Sequence, residues 1–202
     1  MLAASPVFGE TTTVVALGDS LTQGYGLDPA QGFVPQLQGW LTAQGEDVTV
    51  INAGVSGDTT AGGLARLEWS LTPDVDAMIV TLGGNDLLRG IDPAASRSNL
   101  EQILQGAAAR RLPVLLVAMQ APGNYGPDYK TEFDAIYPEL AARYGAALVT
   151  DFFAPLRGDS ADPAAARAYL QADGIHPNAE GVTRIVAALG PQVRAMLAAM
   201  SE

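Results

Sequence analysis

Short runs of apolar and β-branched residues alternate with longer segments of helical periodicity along the whole chain. The apolar runs predict strands at Thr13–Leu17, Val48–Ile51, Ala77–Leu82, Val114–Ala118 and Ala147–Val149. Their apolar residues are continuous rather than alternating, which is typical of parallel strands covered on both faces. Between and after these strands, the periodic segments predict helices at about Phe33–Gln44, Ala61–Ser70, Ser96–Arg110, Tyr129–Tyr144 and Ala179–Met200.

This alternation predicts an α/β fold in three layers. Strands joined through helices form right-handed crossovers, which place helices on both faces of a parallel sheet. The 202 residues are enough for one well-buried core and too few for two domains of typical size. No linker rich in Pro, Gly or Ser divides the chain. We therefore predict a single domain over residues 11–202, preceded by a disordered tail at residues 1–10.

The tail at residues 1–10 is similar to the last part of a secretory signal peptide whose charged and apolar portions are missing. Val7 and Gly9 are small enough for the −3 and −1 positions before a cleavage at Glu10. An ordinary disordered terminus is the alternative. The signal-peptide interpretation predicts a periplasmic or secreted protein rather than a cytoplasmic one. Stable membrane insertion is not expected, since no run approaches the roughly 18 apolar residues of a membrane span.

Composition narrows the class of partner. With 48% apolar and 16% charged residues, the chain resembles a soluble globular protein. A net charge of −11 argues against binding to nucleic acid or to anionic lipid headgroups. The absence of cysteine excludes disulfides, thiol catalysis and cysteinyl metal sites. A small-molecule substrate is the partner that fits, and the composition leaves the oligomeric state open.

Unusual polar and glycine-rich segments follow several of the predicted strands. In open α/β sheets, ligands bind beyond the carboxyl ends of the strands. The segments therefore converge on one edge of the predicted sheet, although they are distant in sequence. They are Gly18–Thr22 after the first strand, Asn52–Thr60 after the second, Gly83–Asp86 after the third and Asp173–Pro177 before the last helix.

Acid–base chemistry is indicated by the only histidine, His176, which follows Asp173 by three positions. Histidine is the side chain whose unperturbed pKa lies near neutrality, so this pair fits a general base with its orienting carboxylate. Ser20, at a turn from strand to helix, fits the nucleophile. Each residue also has a simpler interpretation. Ser20 is then a helix cap, Asp173 an Asx-turn residue and His176 a surface side chain. Asp19 is expected to hold the turn through side-chain-to-backbone hydrogen bonds.

Hydrogen-bond donors for a developing oxyanion are expected at three positions. Ser20 contributes its backbone N–H, Gly57 an N–H that no Cβ shields, and Asn85 an amide that donates without carrying charge. A plain loop glycine and a turn asparagine are the alternatives for Gly57 and Asn85. The chain lacks the histidine pair of common zinc sites, the serine elbow of α/β-hydrolases and the glycine-rich loops that bind nucleotides, which argues against those classes.

Taken together, the segments resemble the four sequence blocks of the SGNH, or GDSL, hydrolase superfamily. They occur in that family's order, at plausible spacings and over nearly the whole chain. The blocks are Gly18–Leu21, Gly57, Gly83–Asp86 and Asp173–Pro177. Residues 53–63 and 121–126 resemble its bacterial branch of multifunctional acyl-CoA thioesterase, lysophospholipase and arylesterase.

The resemblance implies a flavodoxin-like α/β/α sandwich with a five-stranded parallel sheet. It implies Ser20 as nucleophile, His176 as base and Asp173 as the residue that orients it. Ser20 N–H, Gly57 N–H and the Asn85 side chain become the oxyanion hole. Aryl and alkyl esters, acyl-CoA and lysophospholipid are the substrates it implies, with hydrolysis through an acyl-enzyme and neither cofactor nor metal. Members of this branch are usually exported.

The substrate is expected to lie beside this machinery. We predict that it contacts Asp19, Gly84, Pro122, Asn124, Tyr125 and Ile175. The segment Gln120–Tyr129 is expected to form one wall of a shallow acyl groove, or to be an ordinary long connection. Two other functions stay open. One is a carbohydrate O-deacetylase with the same triad, and the other is a non-catalytic flavodoxin-like module that binds FMN with Ser20 and Thr22 at its phosphate.

Overall fold

A sheet of five parallel strands, in the order β2-β1-β3-β4-β5, forms the centre of the protein. The structure is a computed structural model, and it describes residues 11–158, 160 and 162–200. The predicted signal-peptide remnant at residues 1–10 lies outside these residues. Every strand predicted from the apolar pattern is present, as β1 Thr12–Gly18, β2 Val48–Gly54, β3 Ala77–Thr81, β4 Val114–Val117 and β5 Ala147–Val149.

Helices cover both faces of this sheet. The helices are α1 Ser20–Gln23, α2 Phe33–Ala43, α3 Thr60–Ala65, α4 Leu67–Ser70, α5 Gly84–Arg89, α6 Pro93–Ala109, α7 Pro127–Tyr144, α8 Ala154–Arg157 and α9 Ala179–Ala199. Helix α2 packs against α9, and α6 packs against α3 and α7. The three-layer prediction is confirmed, and the strand order is that of flavodoxin-like folds. Among the helices that the structure describes, none is long and apolar enough to cross a membrane.

The central strands carry the core. All residues of β3 and β4 are buried, and β1 is buried from Val14 onward. The edge strand β2 instead alternates between buried and exposed positions at its start, and Ile51 is 36% exposed. The prediction of continuous burial is therefore right for the central strands and wrong for the two edge strands, β2 and β5, since no residue of β5 is buried. An edge strand has a neighbour on one side only, so part of its surface stays open to solvent.

The predicted helix Ala61–Ser70 is interrupted at Arg66, which separates α3 from α4 with φ −110° and ψ 10°. The Arg66 guanidinium donates to Asp58 Oδ2, Ala53 O and Gly18 O, each at 2.6 Å. These bonds tie the residue to the carboxyl ends of β1 and β2. The helix before it also contains two glycines, which are poor helix formers.

The carboxyl ends of the first three strands lie at one level, because Gly18 of β1 pairs with Gly54 of β2 and with Thr81 of β3. Gly18 has no room for a side chain, since a Cβ there would lie 2.0 Å from Thr22 Oγ1. The missing Cβ lets α1 turn back over the end of β1. The segments that follow these strands therefore emerge side by side, as the sequence predicts.

Candidate active site

Ser20 is the first residue of α1, and it stands at the centre of the sheet edge with 9% of its surface exposed. The N-cap is Asp19, whose Oδ1 accepts the Leu21 N–H at 3.0 Å. The prediction that Asp19 holds this turn is confirmed. Because Asp19 caps the helix, the Ser20 hydroxyl is left for other partners.

A chain of two hydrogen bonds joins Ser20 to the only histidine and on to a carboxylate. His176 Nε2 lies 2.8 Å from Ser20 Oγ, and His176 Nδ1 lies 2.7 Å from Asp173 Oδ2. When Nδ1–H donates to Asp173, Nε2 is the atom that accepts the serine proton. The Tyr25 ring packs against the imidazole, with 4.6 Å between ring centroids. The structure thus brings together the three residues that the sequence singles out for nucleophilic catalysis.

The turn before α9 is organised by Asp173. Its Oδ1 accepts the backbone N–H groups of Ile175 at 2.9 Å and His176 at 3.0 Å, while Oδ2 faces the imidazole. The hydrogen bond with the His176 side chain, assisted by these two backbone N–H groups, lowers the pKa of Asp173 to about 2. Asp173 therefore carries its charge throughout the neutral range.

This lowered pKa predicts a stability difference that depends on pH. When folding lowers the pKa of a carboxylate, its full contribution to stability is present at pH values above the pKa of the unfolded chain. The contribution is lost as the pH falls through the lower pKa of the folded protein. The gap in unfolding midpoint between wild type and Asp173→Asn should therefore narrow between about pH 4 and about pH 2. Thermal unfolding followed by circular dichroism at several acidic pH values measures this gap. A gap that stays constant down to the lowest pH would contradict the charged hydrogen bond.

Two backbone N–H groups in the segments around this site have no internal partner among the described residues. Neither Ser20 N–H nor Gly57 N–H donates a hydrogen bond to another residue in the part of the chain that the structure describes. Gly57 has a φ of +85°, in the left-handed region that favours glycine. Its carbonyl oxygen accepts from Arg89 Nη2 at 2.8 Å, which ties the loop to α5. Both groups remain available as donors.

The Asn85 side chain reaches the same place from the first turn of α5. Its Nδ2 donates to Asp58 O at 2.9 Å and to Asp19 Oδ2 at 3.2 Å. Asp58 directly follows Gly57 and Asp19 directly precedes Ser20, so the amide lies between the segments that carry the two backbone donors. The expected oxyanion residues are therefore neighbours.

Asp19 lies behind the nucleophile and is only 1% exposed. Burial raises the pKa of its carboxyl to about 6, although the Leu21 N–H, the Asn85 amide and the His176 charge each lower it. Gly84 packs against the same carboxylate, where a Cβ would lie 3.3 Å from Oδ2. The expected substrate contacts of Asp19 and Gly84 stay predictions, and the burial of Asp19 leaves it almost no surface for a substrate.

Comparison with known proteins decides the family. The model of the GDSL-like lipase/acylhydrolase family matches residues 16–184. The chain belongs to this family.

Esterase TesA of Pseudomonas aeruginosa is 41% identical over 186 residues, which cover 92% of this chain and 89% of that protein. Thioesterase 1/protease 1/lysophospholipase L1 of Escherichia coli K12 is 36% identical, over 82% of this chain and 76% of that protein. A solved structure of a protein named TesA, 39% identical, superposes with a TM-score of 0.81 over 92% of this chain and 99% of that chain.

Membership of the GDSL-like family makes the protein an enzyme, and the alternative of a non-catalytic FMN module is wrong. The local geometry agrees with this outcome. Thr22 is 1% exposed, and the Ser20 hydroxyl is hydrogen-bonded to His176, so neither is presented to a phosphate. Among the residues that the structure describes, no group of three acidic or histidine side chains is arranged to hold a metal ion.

The loop before α7 forms a wall beside α5 in this GDSL-like fold. Tyr125 is 44% exposed, and its hydroxyl lies 3.4 Å from the carbonyl oxygen of Leu88. The base of the loop is fixed, because Ala121 N–H donates to Asp134 Oδ1 at 2.8 Å and Lys130 Nζ donates to Ala121 O at 2.7 Å. Its tip lies next to α5, the helix that carries Asn85, through the contact between Tyr125 and Leu88.

The other expected substrate contacts lie on exposed surface. Pro122 and Asn124 are exposed on the loop, and Ile175, next to the base, is 42% exposed. The recess between Ser20 and His176 has a cavity volume of only about 10 Å³. The contacts expected for Pro122, Asn124 and Ile175 stay predictions.

Two supports of the site were not predicted from the sequence. One is the Arg66 guanidinium, with its bonds to the ends of β1 and β2. The other is the fully buried Asp86, whose carboxylate accepts the Thr60 hydroxyl at 2.6 Å, the Thr60 N–H at 2.9 Å and the Ser96 hydroxyl at 2.8 Å. A sequence signal existed for Arg66, which is one of 11 basic residues and directly follows the two glycines and other residues of α3. For Asp86, the signal was an acidic residue in the glycine-rich segment that follows the buried strand β3.

Proposed function

We propose that this protein hydrolyses carboxylic esters and thioesters through an acyl-enzyme formed on Ser20. The observation that carries the proposal is the pair of hydrogen bonds from Ser20 Oγ through His176 to Asp173, at 2.8 and 2.7 Å. Family membership and relatives named as esterase and thioesterase support the same class of reaction.

Both half-reactions use the same groups. Ser20 Oγ attacks the carbonyl carbon while His176 Nε2 takes its proton, and Asp173 stabilises the imidazolium that results. The tetrahedral intermediate collapses as the imidazolium protonates the departing alcohol or thiol. Water, deprotonated by the same imidazole, then attacks the acyl-serine, and Ser20 is released with its proton. Apart from the substrate and this water, the steps use only groups of the chain.

The oxygen of the tetrahedral intermediate is stabilised by Ser20 N–H, Gly57 N–H and Asn85 Nδ2. Donors that are held in place before the reaction stabilise charge as it develops, without a cost of reorganisation at that moment. The proposal draws on the two unpartnered N–H groups and on the neighbouring amide.

The substrate class follows from the surface around the triad. Exposed apolar side chains surround it, with Tyr25 at 50%, Leu88 at 58%, Tyr125 at 44% and Ile175 at 42% exposure. Such a surface holds an acyl chain by burying apolar area, with little selection for length. We therefore propose esters and thioesters of varied chain length, including aryl esters, acyl-CoA and lysophospholipid.

A substrate panel combined with active-site labelling tests this proposal. Nitrophenyl esters of increasing length, acyl-CoA, a lysophospholipid and acetylated sugars are compared, and a fluorophosphonate is reacted to completion. We expect turnover of several acyl classes and a single label on the peptide that contains Ser20. Turnover confined to acetylated sugars would instead identify a carbohydrate deacetylase, and a label on another serine would remove Ser20 as the nucleophile.

Replacement of Asn85 by alanine should lower kcat by about 10²–10³ with a smaller change in KM, because its hydrogen bond strengthens only as the oxyanion forms. Asn85→Asp is the matched variant. It keeps the shape of the side chain but replaces the donor with a charged acceptor, so it should lose at least as much. Steady-state kinetics on a nitrophenyl ester measure both variants. A loss that lies wholly in KM would make Asn85 a substrate-binding residue instead.

We also propose that the protein is exported and that residues 11–202 act as one catalytic domain. The sequence pattern of residues 1–10 supports export, and the contact between Ser20 and His176, which are 156 positions apart, supports a single unit. Fractionation of cells that express the gene from its own start tests the first point. Esterase activity found only in the cytoplasmic fraction would refute export.

A further inference from the structure

The carboxylate of Asp19 makes a hydrogen bond with Asn85 that has no part in the triad described above. Its Oδ1 accepts the Leu21 N–H at 3.0 Å, which caps α1, while its Oδ2 accepts from Asn85 Nδ2 at 3.2 Å. The second bond links residues 66 positions apart, from the turn after β1 to α5. It therefore joins the segment of the nucleophile to the side chain proposed for the oxyanion hole.

An amide side chain has a donor end and an acceptor end, and only its donor end is useful at an oxyanion. Both groups that hold the Asn85 amide in place, Asp58 O and the ionised Asp19 carboxylate, accept hydrogen bonds and cannot donate. They therefore hold the nitrogen between Asp19, which precedes Ser20, and Asp58, which follows Gly57, and keep the amide oxygen away from these acceptors. With the opposite orientation, an oxygen would face the developing negative charge and oppose it.

Both hydrogens of Asn85 Nδ2 have acceptors in the free enzyme, so an oxyanion has to take one of them over. The bond to Asp58 O is 2.9 Å long and the bond to Asp19 Oδ2 is 3.2 Å long. The bond to Asp19 Oδ2 lies at the long end of the normal range, and we infer that it is the one that yields.

We propose that Asp19 is a positioning residue of the oxyanion hole. Its Oδ2 holds the donor end of the Asn85 amide beside Ser20 and releases one Nδ2 hydrogen to the oxyanion as the tetrahedral intermediate forms. This inference rests on the oxyanion role proposed for Asn85 above.

The surroundings of Asp19 agree with this role. A buried carboxylate is costly unless hydrogen bonds compensate for its lost hydration, and the Leu21 N–H and Asn85 supply them. Burial raises its pKa to about 6, while the His176 charge lowers it. The other titratable group that interacts with this carboxylate is Tyr137, whose pKa is raised by burial first and by the charges of Asp86 and Asp19.

Two simpler roles for Asp19 need to be separated from this one, namely helix capping alone and a direct effect of its charge on His176. Two variants of Asp19 serve this purpose. Asp19→Asn keeps the shape and an oxygen for the Leu21 N–H, but turns an NH₂ group toward Asn85. Asp19→Ser keeps a favourable N-cap, so it is expected to fold, but its hydroxyl is too short to reach Asn85.

The experiment is a double-mutant cycle with steady-state kinetics on a nitrophenyl ester. Each Asp19 variant is measured alone and in combination with Asn85→Ala. Alone, each should lower kcat roughly 10–100-fold and leave KM within about threefold. In the Asn85→Ala background, the same change should alter kcat by less than about threefold, because the group that it positions is already absent. Asp92→Asn is the control, since Asp92 caps α6 through the Ala94 N–H at 2.8 Å and should leave kcat unchanged.

Three outcomes would overturn the inference. Losses that multiply in the double variants would mean that Asp19 acts by another route, such as its charge on His176, and would leave the role of Asn85 intact. A lower unfolding midpoint with unchanged kcat would reduce Asp19 to a helix cap. An unchanged kcat in Asn85→Ala itself would refute the proposed oxyanion hole, and this inference with it.

Discussion

Ser20→Ala should keep the fold and lower kcat by roughly 10⁴–10⁶, because no acyl-enzyme can form without the hydroxyl that lies 2.8 Å from His176 Nε2. The fold should persist because the cap of α1 comes from Asp19, and alanine is a good residue for the first turn of a helix. Hydrolysis of a nitrophenyl ester and the circular dichroism spectrum measure the two parts of this prediction.

Ser98→Ala provides the matched control for Ser20→Ala. Ser98 lies exposed on α6, so the same deletion of a hydroxyl there should leave turnover unchanged. A Ser20→Ala variant that kept more than about a tenth of wild-type turnover would contradict the acyl-enzyme mechanism.

Chemical modification of His176 should abolish activity at one modification per chain, since the sequence contains a single histidine. Its side chain is 16% exposed, so a small reagent such as diethyl pyrocarbonate can reach the ring. Carbethoxylation removes the lone pair of Nε2 and therefore the general base. The fraction of modified imidazole, followed by ultraviolet absorbance, should equal the fraction of activity lost.

Two further measurements make the histidine experiment specific. Hydroxylamine removes the carbethoxy group from imidazole, so it should restore activity. A phosphonate attached to Ser20 should slow the modification, because it occupies the space in front of Nε2. If the fully modified protein remained fully active, His176 would not be the base, and Ser20 would have no base within hydrogen-bond distance among the described residues.

The fold class was predictable because its signals are local. The apolar runs mark all five strands, and the periodic segments mark most of the long helices. The bounds of short helices such as α1 and α5 were not predicted, because four or six residues with glycine, serine and asparagine carry no apolar period. The start of α7 was placed about two residues late although Pro127 at its first position is a known N-terminal signal.

The candidate site was predictable to the extent that it follows from strand ends. Ser20, Gly57 and Asn85 follow parallel strands, whose carboxyl ends lie at one edge of the sheet, so their proximity follows from topology. The break at Arg66 and the bond between Asp19 and Asn85 were not predictable in this way. Each depends on partners brought together by tertiary contacts, and a single sequence contains no local pattern for such a pairing.

The placement of nucleophile and base at opposite ends of the chain also has a consequence for biosynthesis. Ser20 follows the first strand, whereas His176 comes directly before the last helix, which packs against α2. During synthesis, Ser20 therefore leaves the ribosome early and His176 leaves it late. As a result, the hydrogen bond between Ser20 and His176 cannot form until nearly the whole domain has been made. We therefore expect esterase activity only from chains in which the segment that carries His176 has been made and lies beside Ser20.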